Sequence, residues 1–450
     1  MKKLLALAIF LLLLNFLSKS CLAKDAERKT YIVEFFRQED YEILKREGKI
    51  LKDFKIINSS LVIAEWNDVQ RFLSFGRIYE NKKVRAFLHD SAQIIFAQDA
   101  WEGNLNGKDV KICILDTGID YKHSAIDNCD LEEIIDGNYQ PYVLESPHPY
   151  PANFNYTWEI KMPGFSRISI HFVNISVEFG YDFIYIMDKD GNVVQTFSGN
   201  YKDLWTVPIE GDTVKINLVS DWYMSLYGFY IDKVVNGSVS RSLRNCTRII
   251  AAYNFINGNE DVYDDNGHGT HVAGIIASND SYSKGIAYGA KLLIGKVLDS
   301  NGEGTYSTVI EGIEWCLNNS AQVISLSLGG DYYTGNCDSD LLAKAVNSVV
   351  EKNVVVVAAA GNLGGCGIAT PACASKAIAV GAVDKSKNVA GFSGRGSELD
   401  LLAPGVSINS TLPSNKFGYS SGTSMAAPHV AGAAAILLQL NLNLSPSQIK

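Results

Sequence analysis

The chain reads as an α/β protein built on a parallel sheet with helices on both faces, preceded by a small α+β unit and interrupted by an antiparallel β-sandwich insertion. Three observations carry this. From Ala97 onward, short apolar runs in VKICIL, AKLLIGKVL, AQVISLSLGG and NVVVVAAAGN lack polar alternation, as strands covered on both faces require. Helical patterns, HGTHVAGIIAS, STVIEGIEWCLNN and SDLLAKAVNSVVEKN, stand between them, as the crossovers of parallel strands do. From about Leu131 to Asn245 the texture changes: FSRISIHFVNISVEF, YDFIYIMDKDGNVVQTF, DTVKINLVS and LYGFYIDKVV alternate with period two around turn residues such as Asp190 and Gly191, with no helix between them.

At 450 residues the chain is long enough for two to four units with ample core. Its 47% hydrophobic and 20% charged residues and net charge of -9 describe a globular protein without the basic surplus that nucleic-acid binding needs. Residues 1–23 carry two lysines, an apolar stretch from Leu4 to Leu17 and small residues before a cut after Ala23, the pattern of a secretory signal. A lipoprotein cut at Cys21 is disfavoured by Lys19. No other segment suggests a stable membrane span, so a secreted or cell-surface monomer is expected. Asn-x-Ser/Thr tripeptides beginning at Asn58, Asn155, Asn174 and Asn236 are compatible with export. Residues 24–90, with KTYIVEFF and SSLVIAEW around a polar helical stretch, form the small α+β unit.

Of eight cysteines, Cys21 leaves with the signal and seven remain, so at least one thiol stays free. Cys129 and Cys246 bracket the insertion and would staple its neck. Cys366 and Cys373 are close enough to clip one loop, Cys113 and Cys316 read as buried core residues, and Cys337 could join either pair.

The segment DNGHGTHVAG, residues 265–274, places His268 at a helix start between two glycines, where an imidazole can act as a general base. In GTSMAAPHVAG, Ser424 opens a helix of small residues, with first-turn backbone donors and the positive helix end beside it. Pro428 falls near the first turn, where its missing N–H costs little. A carboxylate should hold the imidazole. Asp116 ends a buried strand and is preferred over Asp120, which lies in a loop where solvation is expected. Asn362, after a buried strand and Gly361, offers an amide to the same oxyanion. Singly, each has a plain alternative: a hydrogen-bonding histidine, a turn serine, a helix-capping asparagine. His268 and His271 as a zinc pair lack the required spacing and glutamate.

Together ILDTGID around Asp116, GHGTHVAGI around His268, SLSLGG at 325–330, AAGN ending at Asn362 and GTSMAAPHVAG around Ser424 resemble the subtilisin-like serine proteases. The resemblance implies a serine endopeptidase with Asp116, His268 and Ser424 as catalytic triad, and Asn362 with the Ser424 amide as oxyanion hole. It implies a substrate-binding edge and pocket at Ser327, Leu328, Gly329, Gly330, Ala360 and Gly361, acting on protein or peptide substrates. Residues 24–90 would be a propeptide, a folding aid and inhibitor that the enzyme removes, cut near Leu88 to Ser91. Residues 91–130 and 246–450 would then be the catalytic domain. The insertion, 131–245, is similar to a CUB-type sandwich, whose calcium-binding members would use Glu178, Asp182 and Asp221. Calcium is also implied by the protease resemblance, although Ala125 stands where an acidic ligand is common, with Asp99 or Asp127 as replacements. A second, non-enzymatic possibility is an idle protease scaffold whose insertion binds protein or glycan.

Overall fold

The computed structural model describes residues 29–47, 49–64, 71–86, 97–178 and 181–450. The signal stretch, the Leu88–Ser91 region and the side chain of Asp99 lie outside the described residues.

Seven strands form the central sheet: β1 (Lys111–Asp116), β2 (Ile249–Asn254), β3 (Lys291–Lys296), β4 (Val323–Leu326), β5 (Val355–Ala359), β6 (Ile378–Val383) and β7 (Leu401–Pro404). They pair in the order β2-β3-β1-β4-β5-β6-β7, every pairing parallel. Helices α1 (His268–Ala277) and α4 (Thr423–Leu440) share one core with Ile112 and Ile114 of β1. Helices α2 (Tyr306–Asn318) and α3 (Leu341–Val350) share the other with Cys113 and Leu115. Alternate side chains of one strand thus enter two apolar layers, which is why the run shows no polar alternation. The chain leaves β1 toward opposite sides, through β3 and through β4, so a crevice opens at the carboxyl end of β1, where Asp116 sits.

Local chemistry starts the helices. Thr305 caps α2 in a reciprocal box with Thr308, and the Asp340 side chain accepts from the Leu342 and Ala343 amides at the start of α3. Helix α4 is long and apolar enough to cross a membrane by length and composition, a candidate the sequence reading had passed over; 72% of it is buried inside the fold.

The insertion forms two antiparallel sheets, one of four strands and one of five. One runs in the order Val193–Phe197, Phe183–Met187, Thr213–Val219, Asn155–Lys161, and the other Asn200–Trp205, Arg167–Ser176, Gly228–Arg244, Asp130–Glu145, with Ile209–Glu210 joining Arg167–Ser176. Ile160, Ile170, Phe172, Ile184, Ile216 and Phe229 fill the layer between them, one side chain in two along each strand. At the neck, Cys129 and Cys246 are bridged, with Cα atoms 4.8 Å apart.

Two cysteine assignments are corrected. Cys373 pairs with Cys337, not Cys366; the Cys337 N–H donates to Cys373 O at 3.1 Å, which brings the two backbones together, and Cys366 is an exposed free thiol. Cys113 and Cys316 are buried as expected but bonded, because the inward face of β1 meets α2 with Cα atoms 5.8 Å apart.

The N-terminal unit has a four-stranded antiparallel sheet, in the order Ile50–Phe54, Ser59–Ala64, Lys29–Phe35, Gly76–Glu80, with helix Gln38–Arg46. It rests on α2 and α3. The Ile56 N–H donates to Glu314 Oε1 at 2.5 Å, Ser348 Oγ to Ile56 O at 3.0 Å, Lys344 Nζ to Glu34 Oε2 at 2.9 Å, and Lys52 pairs with Glu311. Ile32 and Phe54 extend the core of the α2 and α3 layer.

Replacing Cys113 and Cys316 together by alanine should lower stability by about 2–5 kcal/mol in chemical denaturation, whereas Cys366→Ala should stay within about 0.5 kcal/mol. A thiol reagent applied to the native protein should label Cys366 and leave Cys337 and Cys373 unmodified, as read by peptide mass.

Candidate active site

Asp116 ends β1 with 1% of its surface exposed. A charge so placed needs partners. Its Oδ1 accepts the Thr117 N–H at 2.7 Å and lies 2.7 Å from Nδ1 of His268, the first residue of α1 and itself buried. The pair is therefore held away from water, with the carboxylate on the Nδ1 side of the ring.

The loop before α1 is folded around a second buried carboxylate, Asp264. Its Oδ1 accepts from Thr117 Oγ1 at 2.8 Å, the Asn266 N–H at 3.1 Å and the Gly267 N–H at 2.8 Å; its Oδ2 accepts from the Thr270 N–H at 2.7 Å and Oγ1 at 2.6 Å. Thr117 Oγ1 also accepts the Gly269 N–H at 2.8 Å, so the strand end carrying Asp116 and the helix start carrying His268 are tied through one hydroxyl. Two glycines are required here. Gly267 has φ +107°, and a Cβ on Gly269 would come within 2.2 Å of Gly118 O. Buried Lys296 of β3 donates to Thr117 O at 2.5 Å and Asp265 Oδ1 at 2.7 Å. Asp264 and Lys296 escaped the sequence reading, although an acid two and three residues before the amides it receives is an Asx-turn signal.

Ser424 is the second residue of α4 and is buried. Its Oγ donates to Ser327 O at 3.0 Å, and Ser327 Oγ donates to Ser424 O at 2.8 Å. The second bond has a cause in Pro428, which lies beyond the first turn and not within it as expected. Without an N–H, Pro428 leaves the carbonyl four residues back, that of Ser424, for the Ser327 hydroxyl to satisfy. Helix α1, which begins with His268, packs against α4, which Ser424 helps to open.

Asn362 follows β5. The Thr423 N–H at 2.9 Å and Oγ1 at 3.0 Å contact one atom of its amide; a backbone N–H can only donate, so that atom is the carbonyl oxygen. The orientation is thereby fixed, and Nδ2, buried, has no hydrogen-bond partner. The Asn362 N–H donates to Tyr332 OH at 2.9 Å, and the Gly361 N–H to Thr423 Oγ1 at 3.1 Å.

Of the expected substrate-facing residues, Leu328–Gly329 form a short strand, Ser327 is bonded to Ser424, the Gly330 N–H donates to Thr370 O at 2.9 Å, and Ala360 and Gly361 are buried after β5. Strand Lys83–Ala86 of the N-terminal unit lies between Leu328–Gly329 and Glu303–Thr305, antiparallel to both.

Burial, then repulsion by His268, pushes the His271 pKa down to about 4, and burial pushes His429 down to about 4, so both are neutral near pH 7. Asp120 is buried, not solvated as expected. It accepts from the Lys122 and Asn415 amides and caps loops.

Among the described residues, Glu178, Asp182 and Asp221, expected to hold calcium, form no converging set of three ligands. Asp182 accepts the Tyr150 hydroxyl at 2.5 Å and the Asp221 N–H at 2.8 Å, and Asp221 accepts the Tyr223 N–H at 2.7 Å. Among the described residues, the one converging acidic or sulfur set is Asp127, Cys129 and Cys246, and its two sulfurs are bonded to each other. Asp127 accepts from the Thr247, Arg248 and Ile249 amides, which holds its pKa below the usual carboxylate range despite burial. Beside it the Arg248 guanidinium donates to the carbonyls of Ala125, Ala277 and Tyr288, supplying a cation from the chain itself.

Residues 107–450 match the model of the subtilase family. The chain belongs to the subtilase family. Subtilisin DY of Bacillus licheniformis is 46% identical over 209 residues, 45% of this chain and 74% of that protein. Subtilisin BL of Lederbergia lenta is 46% identical over 198 residues, 44% of this chain and 72% of its own length. Subtilisin E of Bacillus subtilis is 49% identical over 193 residues, 42% of this chain and 49% of its own. A solved structure described as a cold adapted subtilisin-like serine proteinase aligns over 77% of this chain and 81% of its own, at 24% identity and TM-score 0.45. This subtilase is a serine endopeptidase.

In this subtilase, burial raises the Asp264 pKa, but hydrogen bonds from Thr270 and Gly267 and the charge of Lys296 outweigh it and hold the value below the ordinary one. A depressed native pKa stabilises above the unfolded value of about 4, and that stability is lost as pH falls through the native value. Asp264→Asn should cost about 3 kcal/mol at pH 7 and progressively less in acid, as seen in paired thermal melts across pH.

Proposed function

We propose that Asp116, His268 and Ser424 work as one catalytic unit of a secreted endopeptidase that removes its own N-terminal unit. The observation that supports this is a buried carboxylate–imidazole pair on a helix that packs against the helix Ser424 opens, with an amide donor that has no hydrogen-bond partner beside that opening. In this reading the Ser424 hydroxyl leaves Ser327 O and donates to Nε2 of His268. As Ser424 Oγ bonds to the substrate carbonyl carbon, His268 takes that proton and Asp116 stabilises the imidazolium. Negative charge then forms on the carbonyl oxygen. Asn362 Nδ2 and the Ser424 N–H, at the positive end of α4, receive it. His268 returns the proton to the leaving amine, and water hydrolyses the acyl-enzyme by the same route. No step is assigned to a metal.

The paired edges at Glu303–Thr305 and Leu328–Gly329 give an extended peptide main-chain partners on both sides, a mode of binding that accepts many sequences. The N-terminal unit fills that place with its own strand, which supports an inhibitory propeptide, and its packing on α2 and α3 supports a role as a folding template. The signal pattern of residues 1–23 supports export.

Ser424→Ala precursor should stay whole and inert toward a fluorogenic peptide; processing at the wild-type rate in purified protein would refute the assignment. Asn362→Ala should lower kcat by about 10²–10³-fold with KM little changed, a size taken from one such donor in a protease of this same family.

A further inference from the structure

We infer that Asp340 is a positioning residue for the substrate: its carboxylate ties together the two edges between which an extended peptide pairs, and so fixes the gap that the peptide enters. This rests on the endopeptidase assignment above and deepens it.

Strand Lys83–Ala86 pairs with Glu303–Thr305 on one side and with Leu328–Gly329 on the other. Neighbouring strands stand about 4.8 Å apart, so the two edges face each other across roughly 10 Å. With that place vacated no ladder bond joins them, and their spacing must be held from elsewhere. Each edge runs on into a residue that reaches Asp340. Glu303–Thr305 continues into Tyr306, whose N–H still belongs to the edge, since it donates to Lys82 O at 2.8 Å. The Tyr306 hydroxyl donates to Asp340 Oδ2 at 2.9 Å. Leu328–Gly329 continues into Gly330, whose N–H donates to Thr370 O at 2.9 Å, and Thr370 Oγ1 donates to Asp340 Oδ1 at 3.0 Å. The two chains of bonds thus meet on one carboxylate. They also close on each other: a Cβ built on Gly330 would lie 3.3 Å from Thr370 Cγ2 and 3.4 Å from Tyr306 Cε1.

Helix capping accounts for only part of this arrangement. As the N-cap of α3, Asp340 uses Oδ1, which accepts the Leu342 and Ala343 amides at 2.9 and 3.4 Å. Oδ2 is taken by hydroxyls from outside α3, those of Tyr306 and, at 3.0 Å, Tyr333. Asp340 and Tyr306 are both buried, and charge-assisted bonds are stronger than neutral ones. Burial, then the Asp340 charge, raises the pKa of both tyrosines above the ordinary value, so each keeps the proton it donates. Asp340 is itself anchored, its N–H donating to Cys337 O at 2.7 Å beside the Cys337–Cys373 bridge.

The test is steady-state hydrolysis of two peptidyl-aminomethylcoumarins by the processed enzyme. One carries the hexapeptide Lys-Lys-Val-Arg-Ala-Phe, long enough to reach the Tyr306 N–H; the other carries the dipeptide Ala-Phe, which stops short of it. Asp340→Ala and Tyr306→Phe should each raise KM for the hexapeptide about 5–10-fold relative to the dipeptide, with kcat within about twofold. Tyr306→Phe leaves the α3 cap intact, so it reads the tie even where Asp340→Ala fails to fold. The double variant should do no more than the larger single, because both remove one connection. Equal changes for the two peptides, additive effects or a fall in kcat alone would reduce Asp340 to a helix cap and leave the endopeptidase assignment standing. Wild-type enzyme that hydrolyses neither peptide would sink that assignment. The tie is then judged in the Ser424→Ala full-length precursor, where Tyr306→Phe should speed amide exchange across Lys83–Ala86 about tenfold and unchanged exchange would overturn it.

Discussion

A carboxylate buried at the end of a parallel strand is the constraint around which the rest of this molecule is organised. Left bare, such a charge would be neutralised or would unfold its surroundings. The chain meets the requirement twice, at Asp116 and at Asp264, and the two solutions share Thr117. Because that threonine joins the end of β1 to the start of α1, solvation of the charges and alignment of the imidazole are the same set of hydrogen bonds. The carboxylates and the imidazole are consequently held in place by bonds within the chain itself.

The serine side is built by a different device. Pro428 deletes one helical hydrogen bond, and the Ser327 hydroxyl takes its place, so the helix that Ser424 opens and the segment before Leu328–Gly329 are fastened by two reciprocal contacts. The edge Leu328–Gly329 is thereby held at a fixed place relative to Ser424. A helix defect is thus repaired by a residue next to a sheet edge, and the two elements are joined by the repair.

Much of this was legible in the amino-acid order. The unbroken apolar runs of β1, β4 and β5 gave the parallel sheet, since strands covered on both faces cannot alternate, and the period-two pattern gave the inserted sandwich. Asp116, His268, Asn362 and Ser424 were named because each sits at an element boundary, where backbone groups are unsatisfied. What escaped depends on distant partners. Nothing local distinguishes Cys113 and Cys316 as bonded from merely buried, since the meeting of β1 and α2 is a tertiary fact. Asp120 reads as a loop acid until Asn415, far along the chain, closes over it. The carboxylates of the insertion read from sequence as metal ligands, and in the fold Asp182 and Asp221 accept from Tyr150 and from backbone amides.

The insertion joins its host through Asp130–Glu145 and Gly228–Arg244, which pair along most of their lengths and meet at a bridged pair of cysteines. Such a stalk makes the sandwich a pendant cassette whose entry and exit nearly coincide. Lineages of this fold could acquire, exchange or shed a module there with only a short loop left behind, so the spot is a natural port for grafting a foreign domain onto the protease body.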